Sequence, residues 1–480
     1  MTFRPSRPPA VAVLGILTLL AGCQVAPEET PTPTPAPVSA GTLDWTACGD
    51  ALCAEMVVPL DHGSPEDDRT VTLALRRIPA TAAPRLGSLL VNPGGPGASG
   101  RDFATQFARD GLEQYDIVGW DPRGVGASDP VTCSTATATD EYFALDASPD
   151  TDDERTALIE GIDRYAQSCR DRAGDLLDHL SVTDTARDLD LIREALGEET
   201  LTYYGASYGT TIGATYAALF PERVGRMVLD AAVMPGRDST SVQAEGFDAA
   251  LAGFADWCAE VPCRLGNDAV AQVTALLDEL DERPLRVGER QLTQTLAVTG
   301  MAAILGGGSD AWPAFGAAVA AAENGDGAQL LLAADRVNGR NPEGSFSGRF
   351  ESFVATYCAD DAVRTAQQAD AAWAAEQQAA PVFGYGMGAP YFCVGWTAAP
   401  ADPVTWPEPP AAPVLIVGAP QDPVSPFAWS QEMAAALGNA VLVPAPGASH
   451  VTYGTWECVT DIVTARFVEG TMPAEGTTCA

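Results

Sequence analysis

A short stretch in the middle of the chain, residues 201–209 with the sequence LTYYGASYG, joins a strand-like run to a tight turn. Leu201 to Tyr204 is apolar and favours a strand, whereas Thr210 to Phe220 favours a helix. The Gly-x-Ser-x-Gly between them puts Ser207 at the tip of a strained strand-to-helix turn, and its glycines remove side chains that would collide with nearby backbone. The stretch therefore predicts a nucleophilic serine at the end of a sheet strand.

Outward from this stretch, apolar runs of strand length alternate with helical patterns. A helix is expected to start at Ser181, with Asp184 three residues on, and to stop at Gly197. Such alternation predicts a mostly parallel, buried sheet of the α/β class. The other predicted strands are Val71 to Ile78, Ser88 to Val91, Tyr115 to Trp120, Met227 to Leu229, Val414 to Val417 and Ala440 to Val443.

This alternation stops after about Pro235 and resumes near Pro413. The interval contains long helix-permissive stretches, Ala249 to Glu260 and Ala362 to Ala379. We expect a mainly helical cap that shapes a substrate pocket over the end of the sheet, and a separate domain is the alternative. The expected bounds are 44–235 and 406–480 for the two parts of the core and 236–405 for the cap.

A serine hydroxyl needs a base, and the base needs a carboxylate that fixes its tautomer. Three histidines occur in the chain. His62 and His179 lie in positions where a histidine is commonly a surface or capping residue, whereas His450 follows the last predicted strand. Asp422 lies in a Pro-rich loop after the strand Val414 to Val417. The order Ser207, Asp422, His450 is the one expected of an α/β-hydrolase fold.

A glycine-rich loop could stabilise the oxyanion of a transition state. Residues 91–97, VNPGGPG, follow an early predicted strand and can present a backbone N–H without obstruction. Gly95 is preferred to Gly94 as one donor, and the N–H of Tyr208 is the expected second donor; a simple tight turn is the alternative. Arg123, in a second loop above the sheet, is expected to brace loops rather than to touch substrate.

The N-terminus has the pattern of an export signal. Two arginines precede an apolar run, Val11 to Leu20, that is too short to span a bilayer as a mature helix. The run ends in Leu-Ala-Gly-Cys, which resembles the lipobox of bacterial lipoproteins. Residues 1–22 would then be a signal peptide, Cys23 the lipidated residue and 23–43 a Pro/Thr-rich tether. An ordinary secretory signal is the alternative.

Composition excludes some partners and points to an oxidising compartment. The net charge of −37 comes from 64 acidic and 27 basic residues, and it makes nucleic acid an unlikely partner. Cys23 apart, ten cysteines remain, which suggests five disulfides. Spacing favours Cys48 with Cys53 and Cys258 with Cys263; three further sequential pairs would complete the pattern, although sequence alone does not establish connectivity. No metal or organic cofactor is expected.

Several motifs together resemble the bacterial secreted tripeptidyl aminopeptidases, relatives of the prolyl iminopeptidases. They are the Asn-Pro-Gly-Gly-Pro-Gly loop, an Asp-Pro-Arg-Gly-Val-Gly turn at 121–126, the Tyr-Tyr-Gly-Ala-Ser-Tyr-Gly turn and the Phe-Pro-Glu-Arg-Val sequel at 220–224. The resemblance covers about Trp45 to Cys479 and is weakest across the cap. In one departure, Ser449 precedes the histidine where relatives often have glycine.

The resemblance implies release of short peptides from a free amino terminus through an acyl-enzyme on Ser207. It also implies a carboxylate in the cap that pairs the substrate's ammonium. Asp360, in a Cys-x-Asp segment, is the first candidate, with Asp361 and Glu222 behind it. The alternatives are a carboxylesterase or lipase with the same three residues, and a binding protein on a hydrolase scaffold without activity. The expected location is outside the cytoplasm, on the membrane through the lipid at Cys23.

Overall fold

The computed structural model describes residues 43–235 and 239–479, and its centre is a nine-stranded sheet. Across the sheet the strands lie in the order β1-β2-β3-β5-β4-β6-β7-β10-β11, and a separate two-stranded hairpin is formed by β8 and β9. The strands are β1 (Thr46–Cys48), β2 (Ala51–Pro59), β3 (Thr70–Ile78), β4 (Gly87–Asn92), β5 (Tyr115–Trp120), β6 (Leu201–Ala206), β7 (Val224–Asp230), β8 (Leu285–Val287), β9 (Arg290–Leu292), β10 (Val414–Gly418) and β11 (Ala440–Pro444).

Helices cover the sheet and fill the chain between β7 and β10. They are α1 (Gly100–Gln106), α2 (Ala136–Phe143), α3 (Asp152–Ala173), α4 (Val182–Ala195), α5 (Tyr208–Leu219), α6 (Ser239–Glu260), α7 (Ala269–Glu282), α8 (Gln294–Leu305), α9 (Trp312–Glu323), α10 (Ala328–Asn338), α11 (Arg349–Asp360), α12 (Ala366–Ala379), α13 (Phe383–Gly386), α14 (Phe427–Leu437) and α15 (Glu457–Val468).

The sheet is parallel on the side that carries the serine. Six strands, from β5 through β4, β6, β7 and β10 to β11, pair in parallel, whereas β1, β2 and β3 join them by antiparallel pairing. β4, β5 and β10 are buried at every position, as expected of strands covered on both faces. All seven strands predicted from the sequence are present, and the α/β-hydrolase fold is confirmed.

Between β7 and β10 the described residues form the eight helices α6 to α13 and the β8–β9 hairpin. These helices pack around their own apolar cluster, with Phe254, Phe315 and Phe383 fully buried in it. We call this segment the cap, and its bounds of 236–405 remain a proposal. All described residues belong to a single compact unit.

The sequence did not indicate that α2 and α3, which lie between β5 and β6, would join the cap. Phe143 of α2 belongs to the apolar cluster of the cap, and its ring lies 4.4 Å from that of Phe350 in α11. The helices over the sheet therefore come from two segments of the chain, one between β5 and β6 and one between β7 and β10.

The α3 helix begins with a full capping box, in which Thr151 and Glu154 satisfy each other's backbone N–H groups.

Five disulfides join the ten cysteines of the described residues. Cys48 pairs with Cys53 and Cys258 with Cys263, as their spacing suggested. The other three bonds complete the sequential pattern and link Cys133 to Cys169, Cys358 to Cys393 and Cys458 to Cys479. Two of these bonds, those of Cys258 and Cys358, lie within the cap.

The predicted signal peptide, the lipidated Cys23 and most of the tether lie outside the described residues. Among residues 43–235 and 239–479, no helix has the length and apolar character needed to cross a membrane.

Candidate active site

Ser207 lies between β6 and α5, in the strained turn that its sequence predicts. Its backbone has φ 54° and ψ −128°, a region that costs a residue with a side chain about 1–3 kcal/mol. The turn is tightly packed, because a Cβ on Gly205 would lie 2.3 Å from the backbone oxygen of Gly209. The backbone N–H of Ser207 donates to the carbonyl of Asp230 over 2.9 Å, which anchors the turn to β7.

Asp422 and His450 are brought together although 28 residues separate them. Oδ2 of Asp422 lies 2.9 Å from Nδ1 of His450. The other carboxylate oxygen accepts the backbone N–H groups of Val424 and Ser425, at 2.8 and 3.0 Å. A carboxylate held in this way keeps the proton of a neutral imidazole on Nδ1, so that Nε2 is the free base.

All three residues follow strands at the carboxyl edge of the parallel sheet. Ser207 comes directly after β6, Asp422 after β10 and His450 after β11. Loops at this edge of an open α/β sheet are the usual place for a binding crevice. Ser207 and Asp422 are buried, and the imidazole of His450 is partly exposed.

The loop of His450 is held by a residue that the sequence did not single out. Asp230, fully buried at the end of β7, accepts the N–H of Thr452 at 3.0 Å and that of Tyr453 at 2.8 Å. It also accepts the hydroxyls of Thr452 and Tyr204. Val451, which lies between His450 and the two residues bound by Asp230, has φ 67°. The only signal for Asp230 in the sequence is its place at the end of an apolar strand.

The other two histidines lie elsewhere. Nε2 of His62 is 2.8 Å from Asp188, whose carboxylate also binds the buried guanidinium of Arg123 at 2.7 Å. Arg123 further donates to the carbonyls of Leu60 and His179. Arg123 thus braces loops, in line with the sequence, and neither histidine is part of the serine site.

The glycine loop after β4 packs directly on the serine turn. A Cβ on Gly94 would lie 2.5 Å from the backbone nitrogen of Tyr208, so only glycine permits this approach. The N–H of Gly94 is already bound to the side chain of Asn92 at 2.8 Å. In the described part of the chain, the N–H groups of Gly95 and Tyr208 donate to no protein acceptor. Their availability favours them as the two oxyanion donors.

A cavity of about 950 Å³ opens above Ser207. Gly95 and Tyr208 line it beside the serine, whereas His450 is not one of its lining residues. Most of the wall is apolar, and it comes from the cap, including α11, and from α2 and α3. Representative lining residues are Leu158, Ile162, Val298, Phe350, Phe353 and Tyr357.

Asp360 is placed in the wall of this cavity, at the C-terminal end of α11. Its carboxylate accepts the N–H of Val182, the first residue of α4, at 3.1 Å, and lies 3.5 Å from the hydroxyl of Tyr208. Removal from water raises the pKa of Asp360 to about 7; the N–H of Val182 opposes this rise, and the nearby charge of Asp184 adds to it.

The other two proposed amine-binding residues differ in position. Asp361 lines the cavity, but one of its oxygens is bound to the N–H of Val363 at 2.6 Å. Glu222 is exposed in the turn that leads into β7. Because this turn is at the amino end of the strand, Glu222 lies at the edge of the sheet opposite the site, and it does not line the cavity.

Within the described residues, no three His, Cys, Asp or Glu side chains come together in a way that could hold a metal ion. The expectation that no metal or cofactor takes part stays a prediction.

Comparison with known proteins relates this geometry to other chains. Residues 87–455 match the family model of the α/β hydrolase fold. The chain is 33% identical over 477 residues to "Serine protease Hip1" of Mycobacterium tuberculosis, covering 91% of each chain. It is 35% identical over 500 residues to "Carboxylesterase B" of the same species, covering 96% of this chain and 94% of the relative. "Tripeptidyl aminopeptidase" of Streptomyces lividans is 36% identical over 257 residues, which is 51% of this chain and 47% of the relative.

Proposed function

This chain belongs to the α/β-hydrolase family and is a serine hydrolase, and we propose that it is an exported exopeptidase that releases short peptides, of three residues, from free amino termini. One observation carries the proposal. Ser207 lines a mainly apolar cavity, and two free backbone N–H donors lie beside it. The wall of the same cavity contains Asp360.

The proposed chemistry gives each of these groups one role. Ser207 attacks the scissile carbonyl while Nε2 of His450 takes its proton, and Asp422 stabilises the resulting imidazolium. The N–H groups of Gly95 and Tyr208 hold the oxyanion, and each such donor is typically worth about 10²–10³ in kcat. His450 then protonates the leaving amine, and water hydrolyses the acyl-enzyme.

Recognition of the amino terminus is assigned to Asp360. An ammonium group that enters an apolar cavity loses its hydration, and an ionised carboxylate is the partner that compensates for this loss. Asp360 lies beside the side chain of Tyr208, whose backbone N–H is one of the proposed oxyanion donors. The amine would thus be held at a set distance from the scissile bond, and this distance would limit the length of the released peptide.

Export and lipid anchoring at Cys23 are part of the same proposal. The export-signal pattern in residues 1–22 supports them, and so do five disulfides, which form and persist in oxidising compartments.

A carboxylesterase is the second candidate, and the apolar wall of the cavity favours it. The relative named carboxylesterase B is similar over almost its whole length. The same serine, histidine and aspartate would cleave an ester, but an ester substrate has no ammonium for Asp360.

The test is steady-state hydrolysis of a tripeptidyl chromogenic amide with a free amino terminus, its acetylated counterpart and a short-chain ester. The proposal expects cleavage of the free-amine peptide and strong suppression by acetylation. Turnover of the ester with both amides inert would make esterase the correct assignment. Ser207→Ala is the control, because it must abolish all three activities and labelling by a fluorophosphonate.

A further inference from the structure

One face of α11 lines the cavity along the whole length of the helix. Arg349, Phe353, Tyr357 and Asp360 recur at intervals of three or four residues, which places them on one side of a helix, and all four are lining residues. The rings of Phe353 and Tyr357 stack with 6.0 Å between centroids and 5° between planes. The cavity therefore has an aromatic strip with a cation at one end and a carboxylate at the other.

Arg349 differs from the other cavity residues in charge. Among the described residues it is the one basic side chain that lines the cavity, and within that part of the chain no carboxylate forms an ion pair with it. Two other arginines of the cap are paired: Arg340 binds Asp140 at 2.8 Å, and Arg290 binds Asp335. Arg349 is exposed at the start of α11 where it lines the cavity. A guanidinium that no protein carboxylate pairs is a site for an anionic group.

The two ends of α11 approach two different parts of the site, the glycine loop and Tyr208. At the N-terminal end, a Cβ on Gly97 of the glycine loop would lie 2.6 Å from the backbone oxygen of Arg349. At the C-terminal end, Asp360 lies beside the hydroxyl of Tyr208. A substrate stretched along this face would have its ends at opposite charges, with the glycine loop near one end and Tyr208, the residue after Ser207, near the other.

The position of α11 is fixed. Ser352 donates its hydroxyl to the carbonyl of Gly124 at 2.8 Å, and Glu351 accepts the N–H groups of Cys133 and Ser134. The disulfide from Cys358 ties the far end of the helix to Cys393. Because both ends are held, the separation of the backbone positions of Arg349 and Asp360 is a property of the fold.

We propose that Arg349 binds a substrate carboxylate on the leaving-group side, so that the enzyme recognises both termini of a short peptide. This inference rests on the proposed function and adds a second subsite to it. Eleven helical rises of 1.5 Å separate the two residues by about 16 Å, and an extended peptide covers about 3.3–3.6 Å per residue. The preferred substrate is therefore a peptide of about five residues with a free carboxyl terminus.

The experiment compares kcat/KM of the full-length protein for one pentapeptide as its free acid and as its C-terminal amide. We expect the free acid to be favoured by about tenfold or more, as for a charge-assisted hydrogen bond. Arg349→Gln brings this ratio close to one, and Arg349→Lys keeps part of it. A third peptide, the amide with glutamate as its last residue, distinguishes a C-terminal carboxylate from a side-chain carboxylate. If this peptide is as active as the free acid, Arg349 accepts a side-chain carboxylate, and recognition of the carboxyl terminus itself is overturned.

Two control variants separate this subsite from general effects. Arg336→Gln removes an exposed arginine of α10 that does not line the cavity, and it must keep the ratio. Asp360→Asn must slow both peptides while the ratio persists, because it acts on the amino end.

Equal activity of the wild-type enzyme on acid and amide overturns the inference, and cleavage of the tripeptidyl amide would still support the proposed function. If no peptide is cleaved, the proposed function fails. The same acid and amide are then compared as competitive inhibitors of ester hydrolysis: tighter inhibition by the acid that Arg349→Gln removes supports the subsite, and equal inhibition refutes it.

Discussion

At the scale of single residues, the site depends on carboxylates that face different partners. Asp422 faces an imidazole and two backbone N–H groups. Asp230 faces four donors in the protein, and Asp360 faces both a helix N-terminus and the cavity. Three residues of similar chemistry therefore have distinct proposed tasks: they orient the base, hold its loop and bind the substrate.

Asp230→Asn is expected to lower kcat by about 10–100-fold with a smaller change in KM. The amide would turn an N–H donor toward groups that are themselves donors, which costs about 1–3 kcal/mol and releases the loop of His450. The measurement is kcat per active site, titrated with a fluorophosphonate so that unfolded protein does not count. Tyr204→Phe, which removes one donor and keeps the carboxylate, is the matched control and should stay near wild type. Unchanged kcat in Asp230→Asn would refute the positioning role.

A second residue-scale prediction concerns pH. Because the pKa of Asp360 is raised to about 7, the carboxyl is neutral below that pH and cannot pair with an ammonium. The measured quantity is the quotient of two kcat/KM values, that for a free-amine peptide divided by that for an ester. This quotient should fall by up to tenfold per pH unit as the pH drops below 7. Effects common to both substrates cancel in this quotient, which reports the free enzyme. In Asp360→Asn the quotient should be low and independent of pH; a slope retained in that variant would assign the titration to another group.

At the scale of elements, catalysis depends on the contact between the glycine loop and the start of α5. Gly94→Ala would put a methyl group 2.5 Å from both the nitrogen of Tyr208 and the carbonyl oxygen of Ala206, at φ +83°. We expect the loop to move and kcat to fall by about 10² or more, since donors that move no longer match the oxyanion. The assay is ester hydrolysis, which needs no peptide subsites.

Gly197→Ala is the matched control for this change. Gly197 also has a positive φ, +73°, but a Cβ there would meet nothing within 4 Å. The control carries the backbone cost of a side chain at positive φ, about 1–2 kcal/mol, without the clash. Equal loss of activity in both variants would mean that lost stability, rather than lost oxyanion geometry, explains the effect of Gly94→Ala.

At the scale of the whole molecule, the prediction concerns where the protein lies. Cys23→Ser removes the proposed lipidation site, and the protein should then leave the membrane fraction for the soluble fraction. The reason is that a lipid chain contributes about 0.8 kcal/mol per buried CH₂. Fractionation followed by immunodetection measures this, and activity on the ester should be unchanged. A variant that still sediments with membranes would disprove the lipid anchor at this cysteine.

Local sequence determined much of this molecule. The strand, turn and helix around Ser207 follow from the apolar run, the glycines and the helix-favouring residues that lie next to one another. The helix α4 starts after Ser181 and its end is followed by Gly197, as their turn and cap chemistry predicts. Such features were predictable because their energies arise between residues close in the chain. The prediction of helix over the long stretch Ala362 to Ala379 was less accurate. The helix α12 begins only at Ala366, after the N-cap Thr365.

The sequence by itself determined the fold family, the order of Ser207, Asp422 and His450, and the number of cysteines available for pairing. Only the tertiary structure decided which carboxylates meet which partners: Asp230 the loop of His450, Asp360 the start of α4, and Glu222 the opposite edge of the sheet. The physical reason is that these contacts join segments far apart in the chain, 222 residues apart in the case of Asp230 and Thr452. Their geometry is set by how strands, helices and cap pack together, which no local pattern encodes.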